Sequence, residues 1–212
     1  MFSVIIPTVW KSKRTAKLIS DLNKCETVKE IIIIDNNPKQ KNVEDSILNI
    51  KSKIFSFEEN MYVNPSWNFG VEKSNQENIA LCNDDINFDP IVFEKIYVEN
   101  NTIIGLDVTS YRLYKTTDID LKTVDRMGYG FGCLMLFQKK YYKYIPEKFK
   151  IWYGDNFLFR VFENRKTLIG LRVDTEMSTS SASKEFREII ENDKILWKEF
   201  NIAKYLNSLP KQ

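Results

Sequence analysis

The segment Glu30-Ile31-Ile32-Ile33-Ile34-Asp35 is apolar at four consecutive positions and has an acid at each end. A strand with one face in water alternates apolar and polar side chains. A run without alternation needs cover on both faces. Several such runs follow one another along the chain. Phe2 to Ile6 is one, and Pro7 is expected to stop it by removing a ladder donor. Lys53 to Phe57 and Asn78 to Cys82 read as further strands. Between the strands, Lys11 to Cys25 sets Ala16, Leu18, Ile19 and Leu22 at helical spacing, and Val43 to Ile50 and Pro65 to Ser74 also read as helices. Apolar strands separated by helices indicate an α/β fold, with a central, mostly parallel sheet flanked by helices. The second half is less regular. It holds a strand within Ile103 to Tyr111, another within Gly132 to Phe137, and a long final helix capped by Ser183 with Phe186, Ile190 and Trp197 on its apolar side. No repeat or linker interrupts the 212 residues, so 1–212 are read as a single domain.

Composition excludes whole classes of function. Lys and Arg number 31 against 29 Asp and Glu, a formal charge of +2, which is far from the basic field of a nucleic-acid binder. There is no histidine, which removes Ser-His-Asp and Cys-His nucleophiles, His-ligated zinc and a His general base. Cys25, Cys82 and Cys133 are odd in number and form no C-x-x-C pair, so a disulfide framework or a Cys-built zinc site is not expected. The longest aliphatic run has four residues (Ile31 to Ile34), against roughly 20 for a membrane span. The N-terminus lacks the basic segment and longer apolar core of a signal peptide. The expectation is a soluble, cytoplasmic protein with no integral membrane segment.

Ligands of open α/β sheets bind beyond the carboxyl ends of the strands, so the residues there carry the functional reading. Pro7-Thr8-Val9 is not a glycine fingerprint, and no P-loop pattern occurs anywhere. Asp35 follows the second strand; it is either an acceptor for a uracil N–H or ribose hydroxyl, or a turn-capping residue. Asn83-Asp84-Asp85 follows the strand Asn78 to Cys82. Adjacent carboxylates at the end of an apolar strand repel one another and resist desolvation unless something positive joins them. A divalent cation with oxygen ligands answers that need, and a solvated acidic turn is the plainer reading.

Four segments in order resemble the GT-A glycosyltransferases, in particular the family 2 nucleotide-sugar enzymes. Phe2 to Thr8 is similar to that family's opening strand, and Glu30 to Asn37 to its second strand with the nucleoside-binding acid. Asn60 to Gly70 matches its asparagine–glycine helix start, with Asn68 and Gly70 in place, and Asn83-Asp84-Asp85 falls where the family carries its D-x-D metal motif. The likeness covers residues 2 to 90 and continues through Gly130 to Leu136 and through Trp152-Tyr153-Gly154-Asp155, the acidic motif that supplies the catalytic base. At Asp155 the plainer reading is a helix cap. The resemblance implies a GT-A, Rossmann-like fold, with 1–100 as the nucleotide-binding half and 101–212 as the acceptor-side half. It implies metal-dependent transfer from a UDP-sugar to a hydroxyl of a glycan or glycoprotein, with inversion. Asp155 is then the catalytic base, Pro7, Thr8, Val9, Asp35, Asn36, Trp67, Asn68, Asn83 and Asp84 bind the nucleotide, and Asp85 and Asp84 hold Mn²⁺ or Mg²⁺. The chain departs from the family at three places: Asn83 stands at the first D-x-D position, Trp67 where many relatives have arginine, and Glu176 to Ser181 where many have a late histidine. The alternatives are a catalytically silent nucleotide- or glycan-binding module, a nucleotidylyltransferase, whose glycine-rich signature is missing, and a receiver-like signalling domain, whose residue set cannot be assembled.

Overall fold

The computed structural model describes residues 1–41, 50–176 and 184–209. In chain order the first half runs β1 (Phe2–Thr8), α1 (Thr15–Lys24), β2 (Val28–Asp35), β3 (Ser52–Ser56), α2 (Val63–Lys73), β4 (Asn78–Cys82), β5 (Ile86–Phe88) and α3 (Val92–Lys95). The second half runs β6 (Thr102–Leu106), β7 (Asp120–Thr123), β8 (Leu134–Gln138), α4 (Gly154–Val161), β9 (Asn164–Ile169), β10 (Val173–Thr175), α5 (Arg187–Lys198) and α6 (Ile202–Ser208). Eight strands form one sheet in the order β3-β2-β1-β4-β8-β6-β9-β7, and β10 and β5 make a separate antiparallel ribbon. β3, β2, β1 and β4 are mutually parallel, whereas β8 runs antiparallel to both β4 and β6.

The two-residue period of a strand explains the unbroken isoleucine run. Ile31 and Ile33 join Val4, Ile6 and the α1 residues Leu18, Ile19 and Leu22 on one side of the sheet. Ile32 and Ile34 join Ile5, Trp67 and Val71 of α2 and Phe157 and Leu158 of α4 on the other. Burial on both faces turns an alternating pattern into a continuous one.

Pro7 does not end its strand. It stays within β1, in register with Ile34, and the strand continues to Thr8. The Thr8 carbonyl accepts the Asn36 N–H at 2.9 Å, so Thr8 faces β2, and Pro7, one residue back, faces β4. Pairing between β1 and β4 ends at Ile5–Leu81, so the missing N–H lies just beyond the last bridged pair. The long final helix is in fact two helices. Asn201 adopts an extended conformation and its side chain accepts the Lys204 N–H, capping α6. The expected helix over Val43 to Ile50 falls almost wholly outside the described residues, and Ser183, the expected cap of the final helix, lies wholly outside them.

Candidate active site

The carboxyl ends of β1 and β4, the start of α2, the loop before β8 and the start of α4 surround a cleft of about 340 Å³. It opens at the β1/β4 junction, where the chain reverses its direction of travel across the sheet, the place where α/β sheets bind ligands. Pro7, Thr8, Val9, Asn36, Trp67, Asn83, Asp84, Asp85 and Asp155 all line it.

On the β1/β4 side, the Thr8 hydroxyl donates to Asp84 Oδ2 at 2.5 Å and accepts the Trp10 N–H at 2.8 Å. Burial pushes the Asp84 carboxyl up to about 7, and the charges of Asp85 and Glu176 add to the effect while the Thr8 bond opposes it. Asp85 is buried beside it. Asp155 stands in the first turn of α4, half-buried, with its Oδ1 accepting the Asn156 N–H at 2.8 Å. Desolvation raises its pKa as well. Asp155 comes this close because residue 132 is glycine: a Cβ there would lie 2.6 Å from Asp155 Oδ2. Cys133, the next residue, accepts the Asn83 N–H through its carbonyl at 2.9 Å, which ties the Asp155 wall to the strand end that carries Asp84.

Aromatic residues shape the mouth, and of these the sequence reading missed Tyr62 and Phe186. Tyr62 and Tyr153 immediately precede α2 and α4, and both line the cleft with φ of 69° and 67°. Non-glycine residues in this left-handed region cost about 1–3 kcal/mol each and concentrate at functional sites. Tyr153 is held there by stacking on Trp197 of α5, with ring centroids 4.9 Å apart. Phe186 joins the lining and meets Tyr62 edge-on. No local pattern marks Tyr62 and Phe186, because they are brought together by a contact distant in sequence.

Two expected site residues are placed elsewhere. Asp35 is 1% exposed and does not line the cleft; its carboxylate accepts from the Trp10 indole at 2.7 Å, the Ser56 hydroxyl at 3.0 Å and the Asn37 N–H at 3.0 Å. Asn68 also lies off the cleft. Its Nδ2 donates to the Ile145 carbonyl at 2.8 Å, and its Oδ1 accepts the Ile145 N–H at 2.9 Å and the Tyr142 hydroxyl at 2.7 Å. Asn36 and Trp67 do line the cleft, but Asn36 spends its amide on Ser66 and Met61, and Trp67 is 4% exposed within the core.

Among the described residues no Lys or Arg lines the cleft, which carries three carboxylates. Nor does any group of three or more His, Cys, Asp or Glu gather as a metal cage among them. Asp84 and Asp85 nevertheless fit a hard, oxygen-preferring cation: they are adjacent, partly desolvated and mutually repelling, and Mg²⁺ or Mn²⁺ needs only one or two carboxylates when phosphate oxygens and water complete its shell.

The model of glycosyl transferase family 2 matches residues 3–166, well over half of the chain. The chain belongs to this family. No curated protein is significantly similar to this glycosyltransferase in sequence. Solved structures share its fold at low identity. S. aureus TarS 1-349 in complex with UDP is 16% identical with a TM-score of 0.59, over 96% of this chain and 68% of that one. HddC from Yersinia pseudotuberculosis complexed with GMP-PN is 15% identical with a TM-score of 0.58, over 88% and 100%. GalNAc-T7 with UDP, GalNAc and Mn²⁺ is 11% identical with a TM-score of 0.51, over 94% and 49%. The family 2 glycosyltransferase thus has the GT-A architecture. No helix among its described residues is long and apolar enough to cross a membrane.

Proposed function

We propose that the enzyme transfers a sugar from a UDP-sugar to a hydroxyl of a glycan or glycoprotein acceptor, with inversion at the anomeric carbon. The observation that carries this reading is that one cleft holds an acidic pair at the end of β4 and a separate desolvated carboxylate, Asp155, on the facing helix start. TarS and GalNAc-T7, which share the fold, bind UDP in their structures.

The nucleoside diphosphate lies along Pro7-Thr8-Val9 and the Asn83–Asp85 turn. The three carboxylates repel a diphosphate, and among the described residues no Lys or Arg lines the cleft to offset them; Asp84 and Asp85 would hold a divalent cation, which would supply positive charge to the leaving group. Thr8 keeps Asp84 oriented toward that position. Asp155 accepts the proton of the acceptor hydroxyl as its oxygen bonds to the anomeric carbon. The bond from that carbon to the diphosphate oxygen breaks, and its electron pair leaves with the diphosphate. Burial raises the proton affinity of Asp155 toward working pH, which suits a general base; such help contributes about 10²–10⁴-fold.

Calorimetry with UDP tests the donor half: affinity is expected to strengthen when Mn²⁺ is added, and Asp85→Ala to abolish that gain. Asp155→Asn is expected to keep UDP binding and suppress transfer. Retained transfer removes Asp155 as the base, and proton NMR of the first product reads the stereochemistry.

A further inference from the structure

The acceptor-side wall of the cleft, Ile151-Trp152-Tyr153, is irregular chain that has to hold one shape for Asp155 to project from the turn that follows it. It is gripped from two sides. From α2, the Asn64 N–H donates to the Lys150 carbonyl at 3.0 Å, and Asn64 Nδ2 donates to the Trp152 carbonyl at 3.0 Å. From α5, Asp193 presents a fully buried carboxylate to three successive amides. Lys150 N–H donates to Oδ1 at 3.0 Å, and Ile151 and Trp152 N–H donate to Oδ2 at 2.8 and 2.9 Å. The same helix adds Lys194 over the Trp152 ring at 4.8 Å and the Trp197 stack on Tyr153. α5 lies outside the matched residues 3–166, so this grip is a feature of the chain beyond its family core.

A buried carboxylate is costly unless its oxygens are satisfied, and here backbone amides alone satisfy it. Three consecutive amides of a loop have been fixed in one orientation, and that loop leads through the left-handed Tyr153 and Gly154 into Asp155. Gly154 admits no side chain, since its Cβ would fall 2.0 Å from Asn64 Oδ1. The segment is locked on both sides of its backbone.

The geometry points to Asp193 as a positioning residue for catalysis: through the amides of Lys150, Ile151 and Trp152 it sets the acceptor wall and the direction in which Asp155 enters the cleft, without touching the donor. The inference rests on the glycosyl-transfer reading above. Asp193 bonds to the wall, whereas on the donor side Asp84 is held by the Thr8 hydroxyl and, through its carbonyl, by the Thr15 hydroxyl.

Asp193→Ala and Asp193→Asn test it against Leu22→Ala, a core truncation under the opposite face of the sheet that serves as a stability control. Three quantities are read: hydrogen exchange at the amides of residues 150–152, UDP affinity by calorimetry, and UDP release from UDP-GlcNAc. In Asp193→Ala exchange at these amides is expected to rise about 10–100-fold above the control. UDP affinity is expected to stay within about threefold and kcat to fall about 10²-fold, the cost of an ångström-scale misplacement. Asp193→Asn keeps one carbonyl oxygen for Ile151 and Trp152, so it is expected to fall between wild type and Asp193→Ala. Exchange no faster than in Leu22→Ala overturns the inference, as does a loss of UDP affinity that parallels the loss of turnover. Wild-type protein that fails to bind UDP refutes the donor reading instead, and the exchange measurement still decides whether Asp193 holds the wall.

Discussion

Gly132→Ala isolates the geometry of the proposed base with a single methyl group. The added Cβ would sit 2.6 Å from Asp155 Oδ2, 2.7 Å from its Cβ and 2.9 Å from its Cγ. Ordinary contacts begin at 3.4 Å, so Asp155 has to retreat by 3.4 − 2.6 = 0.8 Å. Because the Asp155 Cβ is hit as well as its tip, rotation of the carboxylate alone does not relieve the clash, and the start of α4 shifts with it. Overpacking of this kind costs about 1–3 kcal/mol of stability. A displacement near 1 Å of a group that accepts a proton costs about 10² in rate. In the proposed mode UDP lies along Pro7 to Val9 and the Asn83–Asp85 turn, across the cleft from Asp155, so UDP affinity by calorimetry is expected to stay unchanged while kcat for UDP-GlcNAc falls about a hundredfold. A variant that folds, binds UDP and turns over within about threefold of wild type refutes the argument that Gly132 exists to admit Asp155.

Asp84 gives a pH signature. Its pKa is raised from 3.8 to about 7, so the folded metal-free protein holds a proton that the unfolded chain has already released, and its stability falls as pH rises from about 4 through 7. Asp84→Asn is expected to flatten that fall in thermal melts; an unchanged slope contradicts the assignment. With Mn²⁺ present, wild-type UDP affinity is expected to climb between pH 6 and 8 as Asp84 deprotonates, and to collapse on chelation; affinity insensitive to both refutes the acidic pair as the cation site. Asp35→Ala strands the Trp10 indole and Ser56 hydroxyl and is expected to cost about 3 kcal/mol in chemical denaturation while the remaining folded protein binds UDP. Loss of UDP affinity with full stability would make Asp35 a ligand contact.

The first-half strands are legible because the cause of their pattern is local. A strand covered on both faces shows as an unbroken run, and Ile31–Ile34 and Asn78–Cys82 are such runs. β7 is an exposed edge strand and β5 and β10 have three residues each, too short for any period to register. That Asp84, Asp85 and Asp155 line one cleft is legible because they follow a strand and open a helix, positions that an α/β sheet gathers at one edge. Asp35 and Asn68 looked equivalent in sequence, yet whether a polar group faces a cleft or a neighbouring loop depends on partners such as Trp10 and Ile145. Asp193 lies more than forty residues from every amide it binds, and on an amphipathic helix it reads as one more solvent-facing acid.

Pro7 determines where the sheet stops closing. Any other residue there would present an N–H toward β4, an invitation for the two strands to zip one step further past Ile5–Leu81. The imino ring withdraws it, and β1 and β4 part company just short of Thr8 and Asn83. The gap between them is thus written into the backbone chemistry of one residue and would persist whatever side chains were later placed around its rim.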